Sequence, residues 1–166
     1  MSEPTDDLHA RVRRLEDESA IQRLIMSYGP AADAGLTSSA ASLWLDDGVY
    51  DWDADGVPHA GSTAVDEMLQ GGGHQGLIAR GVAHFAGPLL VDVEGDRATV
   101  LNYSLIMRRE DDRFFLWRVS AVRWDVERAG ASWKVRRRTN RLLDASGAGR
   151  ELFNDTMRDV FPEVST

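Results

Sequence analysis

Few residues of this sequence could perform acid–base chemistry, and they are scattered along the chain. Asp33 stands in a run of small residues, AADAG, just past an apolar helical face. It is either a solvated helix end or a cavity residue. The presence of a partner distinguishes the two possibilities, because aspartate is almost never buried alone. His84 stands in an apolar, strand-like segment, VAHFAG. Histidine can act as a base near neutral pH, although a single histidine is more often structural than catalytic.

The other three histidines are weaker candidates for the same chemistry. His59, in GVPHAG, is predicted to lie in a turn, and His74, in GGGHQG, in a mobile loop. Three consecutive glycines should prevent a helix there, and both histidines are expected to be exposed to solvent. His9 belongs to the N-terminal region. Because the four histidines lack the close spacing of zinc ligands, the sequence predicts no metal site.

An amphipathic helix is predicted immediately before Asp33. One buried helical face is indicated by the i, i+3, i+4, i+7 spacing of Ile21, Leu24, Ile25 and Tyr28. Tyr28 is therefore expected to face the interior. Gly29–Pro30 should kink or interrupt the helix, because proline removes a backbone donor and clashes with the preceding turn.

The second half of the chain is rich in strand-forming residues. Tight-turn sequences separate four long runs, VAHFAGPLLVDVEGD, RATVLNYSLIMRRE, FFLWRVSAVRWDVER and SWKVRRRTNRLLD. They predict a meander of four antiparallel strands, extended by a shorter strand through Tyr50 that ends in a hairpin turn at Asp55–Gly56. Helices first and long strands afterwards predict an α+β domain with a strongly curved antiparallel sheet packed around its helices. A last helix is expected at about 148–161, over the pocket or an interface.

Composition excludes several classes of protein. The 166 residues suit a single domain, 1–166, with its core at about 8–144. Its 27 acidic and 19 basic residues leave a net charge of −8, which argues against nucleic acid or an anionic membrane as partner. There is no cysteine and no apolar run of membrane-spanning length. A cytoplasmic location is the default expectation.

The order of elements resembles the SnoaL-like branch of the nuclear transport factor 2-like superfamily. LEDESAIQRLIMSYGPAADAG resembles the opening helix of that branch, and LWLDDGVYDWD its helix-to-strand turn. VAHFAGPLLVDVEGDRATV resembles its strand-turn-strand centre, and GASWKVRRRTNRLLD its closing strand. The resemblance implies a cone-shaped α+β barrel with an internal, largely hydrophobic pocket that takes a small hydrophobic molecule.

The same resemblance implies a catalytic pair. The dehydratases and dehydrochlorinases of this branch combine an aspartate near the end of the first helix with a histidine on a central strand, positions filled here by Asp33 and His84. Tyr28 matches a pocket tyrosine and is the third catalytic candidate. No cofactor is implied. The candidates for substrate binding are Tyr50, Tyr103, Arg138 and Asn140.

Three functions are compatible with these residues. The first is a cofactor-independent lyase that acts on a small, cyclic, hydrophobic substrate through His84 and Asp33. The second is a polyketide cyclase or a ketosteroid-isomerase-like isomerase, in which Asp33 or another carboxylate would act as the base. The third is a ligand-binding protein without catalysis, such as a dioxygenase small subunit.

Self-association is also expected. The broad meander and its aromatic residues offer more apolar surface than three short helices can cover. The sequence therefore predicts a homo-oligomer, either a trimer or a dimer.

Overall fold

The computed structural model describes residues 4–53 and 56–162, and it has the predicted α+β class. Helices come first and long strands follow, as the composition of the two halves predicts. Asp55, part of the predicted hairpin turn, lies outside the described residues. The elements are α1 (Pro4–Asp33), α2 (Thr37–Ala41), β1 (Trp44–Trp52), β2 (His59–Ala60), α3 (Ser62–Gln70), α4 (Gly72–Arg80), β3 (Val82–Ala86), β4 (Leu90–Glu94), β5 (Arg97–Glu110), β6 (Arg113–Ala129), β7 (Ser132–Leu142) and α5 (Ala148–Val160).

The strands form one curved, unclosed sheet in the order β2-β1-β7-β6-β5-β3, with β4 also paired to β5. β5, β6 and β7 are the predicted antiparallel meander. The prediction of a wholly antiparallel sheet is wrong at one place, because β1 pairs with β7 in parallel. Parallel pairing is available to β1 because a long crossover, here α3 to β6, separates the two strands.

β3 and β4 follow one another along the same edge of β5, so the predicted first strand of the meander is an interrupted edge strand. The interruption is at Gly87–Pro88, where Gly87 still donates to the carbonyl of Tyr103. Pro88 has no backbone donor, and proline is tolerated at a sheet edge for that reason. β3 is therefore a short separate segment, and it carries His84.

The concave face of the sheet holds the core. Ile21, Ile25 and Tyr28 of α1 are buried there, as their helical spacing predicts. They belong to one hydrophobic cluster with Val100 of β5 and Trp124 of β6, which are cross-strand neighbours. The burial of this stripe fixes the rotation of α1 and so determines which residues at its C-terminal end face the sheet.

The predicted interruption at Gly29–Pro30 is wrong, since α1 continues through Pro30 to Asp33. The alternative, a kink at this point, stays a prediction. The backbone acceptor that loses its donor is the carbonyl of Met26, four residues earlier. Met26 and Pro30 are both exposed, so water can replace the lost hydrogen bond. The helix ends instead at Asp33, two residues before Gly35, which has a φ of 71°, the left-handed conformation that glycine favours. This extra turn brings Asp33 to the sheet.

The segment that was predicted to be a mobile loop forms helix α4. Gly71 has extended backbone angles and separates α4 from α3. Gln75 anchors the first turn of α4 by donating to the carbonyl of Leu69, at 2.8 Å. His74 Nε2 lies 3.3 Å from the carbonyl oxygen of Ala32, so the same turn is also tied to α1. These contacts override the low helix propensity of glycine.

The convex face of the sheet carries α5, which packs against β5, β6 and β7. The ring of Phe153 contacts that of Tyr103 edge-on, with centroids 4.8 Å apart. Other apolar side chains remain exposed in the single chain, among them Phe85, Leu90 and Phe114. They are the kind of surface that motivates the oligomer, which remains a prediction.

Gly29 allows α1 to approach β3 closely. A Cβ atom at this position would overlap the backbone carbonyl oxygen of His84. Since β3 is held by β5 on its other side, the overlap could be relieved only by moving α1 away. Glycine at this position thus sets the spacing between the two elements that carry Asp33 and His84.

Gly29→Ala is therefore expected to lower the free energy of unfolding by about 1–3 kcal/mol, the usual cost of overpacking. Urea denaturation would measure it. Gly72→Ala is the matched control, because it lies in a helix with no atom near the added Cβ. That change should be neutral or stabilising by at most about 1 kcal/mol. Equal stability of the two variants would show that the close approach at Gly29 is unimportant.

Candidate active site

Asp33 and His84 are joined by two hydrogen bonds. Asp33 Oδ1 lies 2.5 Å from His84 Nδ1, and Asp33 Oδ2 accepts from the backbone N–H of His84 at 2.7 Å. Both side chains are mostly buried, with 11% of His84 and 22% of Asp33 exposed. The hydrogen-bonding contact that the sequence predicted is thus present, and it spans 51 residues of chain.

The carboxylate determines the tautomer of His84. Ionised carboxylate oxygens only accept hydrogen bonds, so the ring proton belongs on Nδ1. Nε2 is then the unprotonated nitrogen, and the described residues supply no hydrogen bond to it. The second carboxylate oxygen is held by the backbone of the same residue, which prevents Asp33 from turning away. A histidine oriented in this way can accept a proton from a ligand.

His84 lies on the wall of a cavity of about 430 Å³. The cavity opens between α3, α4 and the concave face of the sheet. Its volume suits a small ligand. Its wall combines apolar, aromatic and cationic side chains. The lining residues are Tyr28, Tyr50, Trp52, Met68, Gly73, His74, Leu77, Arg80, His84, Ile106, Arg108, Trp117, Arg118 and Asn140.

Two tyrosines predicted for the site lie on this wall. The Tyr28 ring packs edge-on against His84, with centroids 6.4 Å apart, and against Tyr50, at 6.3 Å. Burial raises the pKa of Tyr28 well above its ordinary value, and the neighbouring charge of Arg138 offsets this only in part. Tyr28 therefore stays protonated and can serve as a hydrogen-bond donor.

Asn140 and Arg138 occupy neighbouring positions on β7, but only Asn140 lines the cavity. Asn140 Nδ2 lies 3.5 Å from the Tyr50 hydroxyl, and its Oδ1 is buried without a hydrogen-bond partner among the described residues. The Tyr50 hydroxyl accepts from Asn140 and also interacts with the Tyr28 hydroxyl. These two groups form a polar patch in a largely aromatic wall.

Arg138 lies behind the wall instead of on it. Its guanidinium carbon is 4.4 Å from the ring centres of Tyr28 and Trp124 and 4.6 Å from that of Tyr50. Only 3% of the residue is exposed, and within the described part of the chain no carboxylate pairs with it. This is a cation stabilised by aromatic faces. It places positive charge directly behind the two tyrosines.

Tyr103, also predicted to bind substrate, is not brought to this site. It is 52% exposed and lies on the convex face, where it contacts Phe153 of α5. Successive strand residues alternate between faces, and the cavity side of β5 belongs to Ile106 and Arg108. α5 contributes no residue to the cavity wall, so it does not cover this pocket. The other expectation, that it covers an interface, stays a prediction.

His74 was missed as a site residue, because its glycine-rich surroundings predict an exposed loop. Its ring centroid is 5.5 Å from that of His84, and its Nε2 is 3.3 Å from the carbonyl oxygen of Ala32. Burial lowers the pKa of His74, the contact with Ala32 opposes this, and the nearby His84 lowers it further. His74 is therefore a second, preferentially neutral imidazole beside the Asp33–His84 pair.

His59, predicted in a turn, is half-buried in β2.

The acidic run around β1 has a structural role. Asp51 pairs with Arg137 and Arg141 on the convex side, at 3.0 Å for Arg141. Asp53 pairs with Arg118. These pairs tie β1 to β6 and β7. Among the described residues, no three His, Asp or Glu side chains come together as a group that could hold a metal ion.

A curved sheet around an N-terminal helix, with an aspartate of the helix bound to a histidine that lines the cavity, defines a recognisable class of protein. The sequence model of the SnoaL-like domain matches residues 13–139, about three quarters of the chain. This chain belongs to the SnoaL-like domain family.

Solved structures agree with this assignment. An NTF2-like protein with a cystatin-like fold from Novosphingobium aromaticivorans is 41% identical, with a TM-score of 0.87 over 92% of this chain and 98% of that one. A proposed scytalone dehydratase from the same organism is 21% identical, with a TM-score of 0.66 over 79% and 87% of the two chains. A proposed aromatic ring hydroxylase from it is 26% identical, with a TM-score of 0.65 over 78% and 91%. The second of these is too distant to show more than the fold.

Two further comparisons are negative. Among curated proteins, none matches this chain. Within the part of the chain that the structure describes, no helix is both long and apolar enough to cross a membrane.

The lowered pKa of His74 predicts a pH-dependent contribution to stability. As the pH falls through 6.5, the ordinary pKa of histidine, His74 becomes protonated in the unfolded chain but stays neutral in the folded protein. The unfolded state then binds more protons, so the free energy of unfolding decreases toward acid pH. His74→Asn should reduce this decrease between about pH 7 and pH 5, as measured by urea denaturation. His9→Asn, which removes an exposed histidine, should not. If the free energy of unfolding of His74→Asn depended on pH as steeply as that of the parent protein, this explanation would be contradicted.

Proposed function

We propose that this protein is a cofactor-independent lyase of the dehydratase type, acting on a small, cyclic, hydrophobic substrate. The observation that carries the proposal is the pair of hydrogen bonds by which Asp33 holds His84. Membership of the SnoaL-like family and the cavity beside this pair support the binding of a small molecule. The base and its orienting carboxylate are the parts that proton abstraction next to a carbonyl requires.

In this proposal, His84 Nε2 removes a proton from the carbon next to a carbonyl group of the substrate. Asp33 stabilises the imidazolium that forms, because its Oδ1 is only 2.5 Å from Nδ1. The electron pair left on the α carbon forms the new double bond as a hydroxyl leaves from the β carbon. The hydroxyl takes up the abstracted proton and departs as water, so no oxidant or reductant is needed.

The opposite wall would stabilise the negative charge that develops on the carbonyl oxygen. The hydroxyl groups of Tyr50 and Tyr28 would be the donors, and Tyr28 stays protonated because it is buried. Arg138, behind both rings, adds a positive field in a region of low dielectric constant. Donors that are already oriented cost little reorganisation when the charge appears, which is the usual source of such stabilisation.

The geometry favours the lyase over the isomerase or cyclase alternative. A carboxylate that acts as the base itself needs an oxygen facing the substrate. Here one oxygen of Asp33 is held by the His84 ring and the other by the His84 backbone. Asp33 is also absent from the residues that line the cavity, so it is placed to orient His84.

His84→Ala should lower the turnover of a suitable substrate by about 10²–10⁴-fold, the usual contribution of positioned proton transfer. Asp33→Asn should cause a comparable loss. An asparagine can still accept from the His84 backbone, but its amide group would then face Nδ1 and favour the tautomer with the proton on Nε2. Steady-state kinetics with cyclic β-hydroxy ketones would measure both effects.

His9→Ala is the matched control, since it removes an exposed histidine far from the cavity, and it should keep the parental rate. The affinity for a substrate analogue should survive all three changes, because it comes mainly from the apolar wall. Parental turnover in His84→Ala would show that the pair is structural, and the lyase proposal would then fail.

A further inference from the structure

The charged residues of the cavity wall all carry the same sign. Arg80 of α4, Arg108 of β5 and Arg118 of β6 line it, and among the described residues no aspartate or glutamate does. This is unexpected in a chain with a net charge of −8. Three cations from three separate elements converge on one cavity, and a wall of one sign raises the local concentration of ligands of the opposite sign.

The three arginines differ in how far their charge is already neutralised. Arg118 is buried and paired with Asp53, so it is committed to the structure. Arg108 pairs with Glu110, but 38% and 49% of these side chains remain exposed. Such a surface pair contributes little and can be exchanged for another anion. Arg80 is exposed and forms no ion pair within the described residues. Two cations therefore remain available to a ligand.

Aromatic rings accompany the arginines. The guanidinium carbon of Arg108 lies 5.1 Å from the ring centre of Trp117, and that of Arg118 lies 5.5 Å from the ring centre of Trp52. Both tryptophans also line the cavity. A ligand in contact with this part of the wall meets flat apolar surfaces next to cationic groups. A planar hydrophobic ring that carries an oxyanion has both complementary features.

We propose that the natural ligand is an amphipathic anion, with a cyclic hydrophobic body directed toward His84 and an oxyanion bound by Arg80 and Arg108. The anionic group is a carboxylate, or a phosphate attached to the same body. This inference rests on the proposed function in one respect, namely that the bound ligand is the substrate. Arg80 and Arg108 lie on α4 and β5, whereas Asp33 lies on α1. Their contribution to ligand binding can be measured without turnover.

The test uses three probes with the same ring: 2-naphthoate, 2-naphthyl phosphate and the neutral 2-naphthamide. Isothermal titration calorimetry of the full chain at low salt would measure their affinities. At least one of the anions should bind about tenfold more tightly than the amide, the scale expected of a charge-assisted hydrogen bond. Which anion binds more tightly identifies the source of the oxyanion. The preference should decrease as salt is added.

Arg80→Gln and Arg108→Gln should each reduce the preference for the anion at least threefold, while leaving the affinity for naphthamide unchanged. Arg97→Gln is the matched control: it removes the same charge from an exposed position outside the cavity and should preserve the preference. His84→Ala should preserve it too, so failure of the lyase proposal would leave this result intact. Equal binding of anions and amide, no binding at millimolar probe, or a parental preference in both arginine variants would overturn the inference.

Discussion

The carboxylate of Asp33, bound to both N–H groups of His84, is the interaction on which the rest of the site depends. It joins the last residue of a 30-residue helix to a short strand at the edge of the sheet. Two backbone features make it available: the absence of a side chain at Gly29, and the continuation of α1 through Pro30. The contact holds the two elements together and also orients the ring of His84.

The cavity is asymmetric around this contact. On one side, the carboxylate of Asp33 lies against the imidazole of His84. On the other, Tyr50, Asn140 and the field of Arg138 favour negative charge on a ligand. In the proposed mechanism, removal of a proton by His84 would create positive charge on the imidazole and negative charge on the ligand next to these groups, which is the condition for stabilising a transition state more than a ground state. His74 adds a neutral imidazole beside the pair without adding charge.

The sequence predicted those parts of the fold that follow from local periodicity. The buried face of α1 and the strands β5 to β7 are examples. The pairing of Asp33 with His84 needed a family resemblance, because no local pattern joins residues 51 positions apart. Helix α4 and the burial of His74 were missed, since both depend on contacts that outweigh local propensity. The helix through Pro30 was missed because the hydrogen bond lost there is at exposed positions, where water can replace it. Arg138 was misplaced because strand alternation assigns a side chain to a face but does not say how deep it lies. Tyr103 was misplaced because the sequence alone does not show which face of β5 meets the cavity.

The tautomer of His84 shows whether Asp33 orients this histidine as a base toward the cavity. Nuclear magnetic resonance of isotope-labelled histidine ring nitrogens, assigned with a His84→Ala sample, reports which nitrogen carries the proton in the neutral ring. The account predicts a proton on Nδ1 and an unprotonated Nε2 in the parent protein, with the preference lost in Asp33→Asn. A neutral His84 that carries its proton on Nε2 in the parent would contradict the account, because its free nitrogen would then face Asp33 and no base would face the cavity.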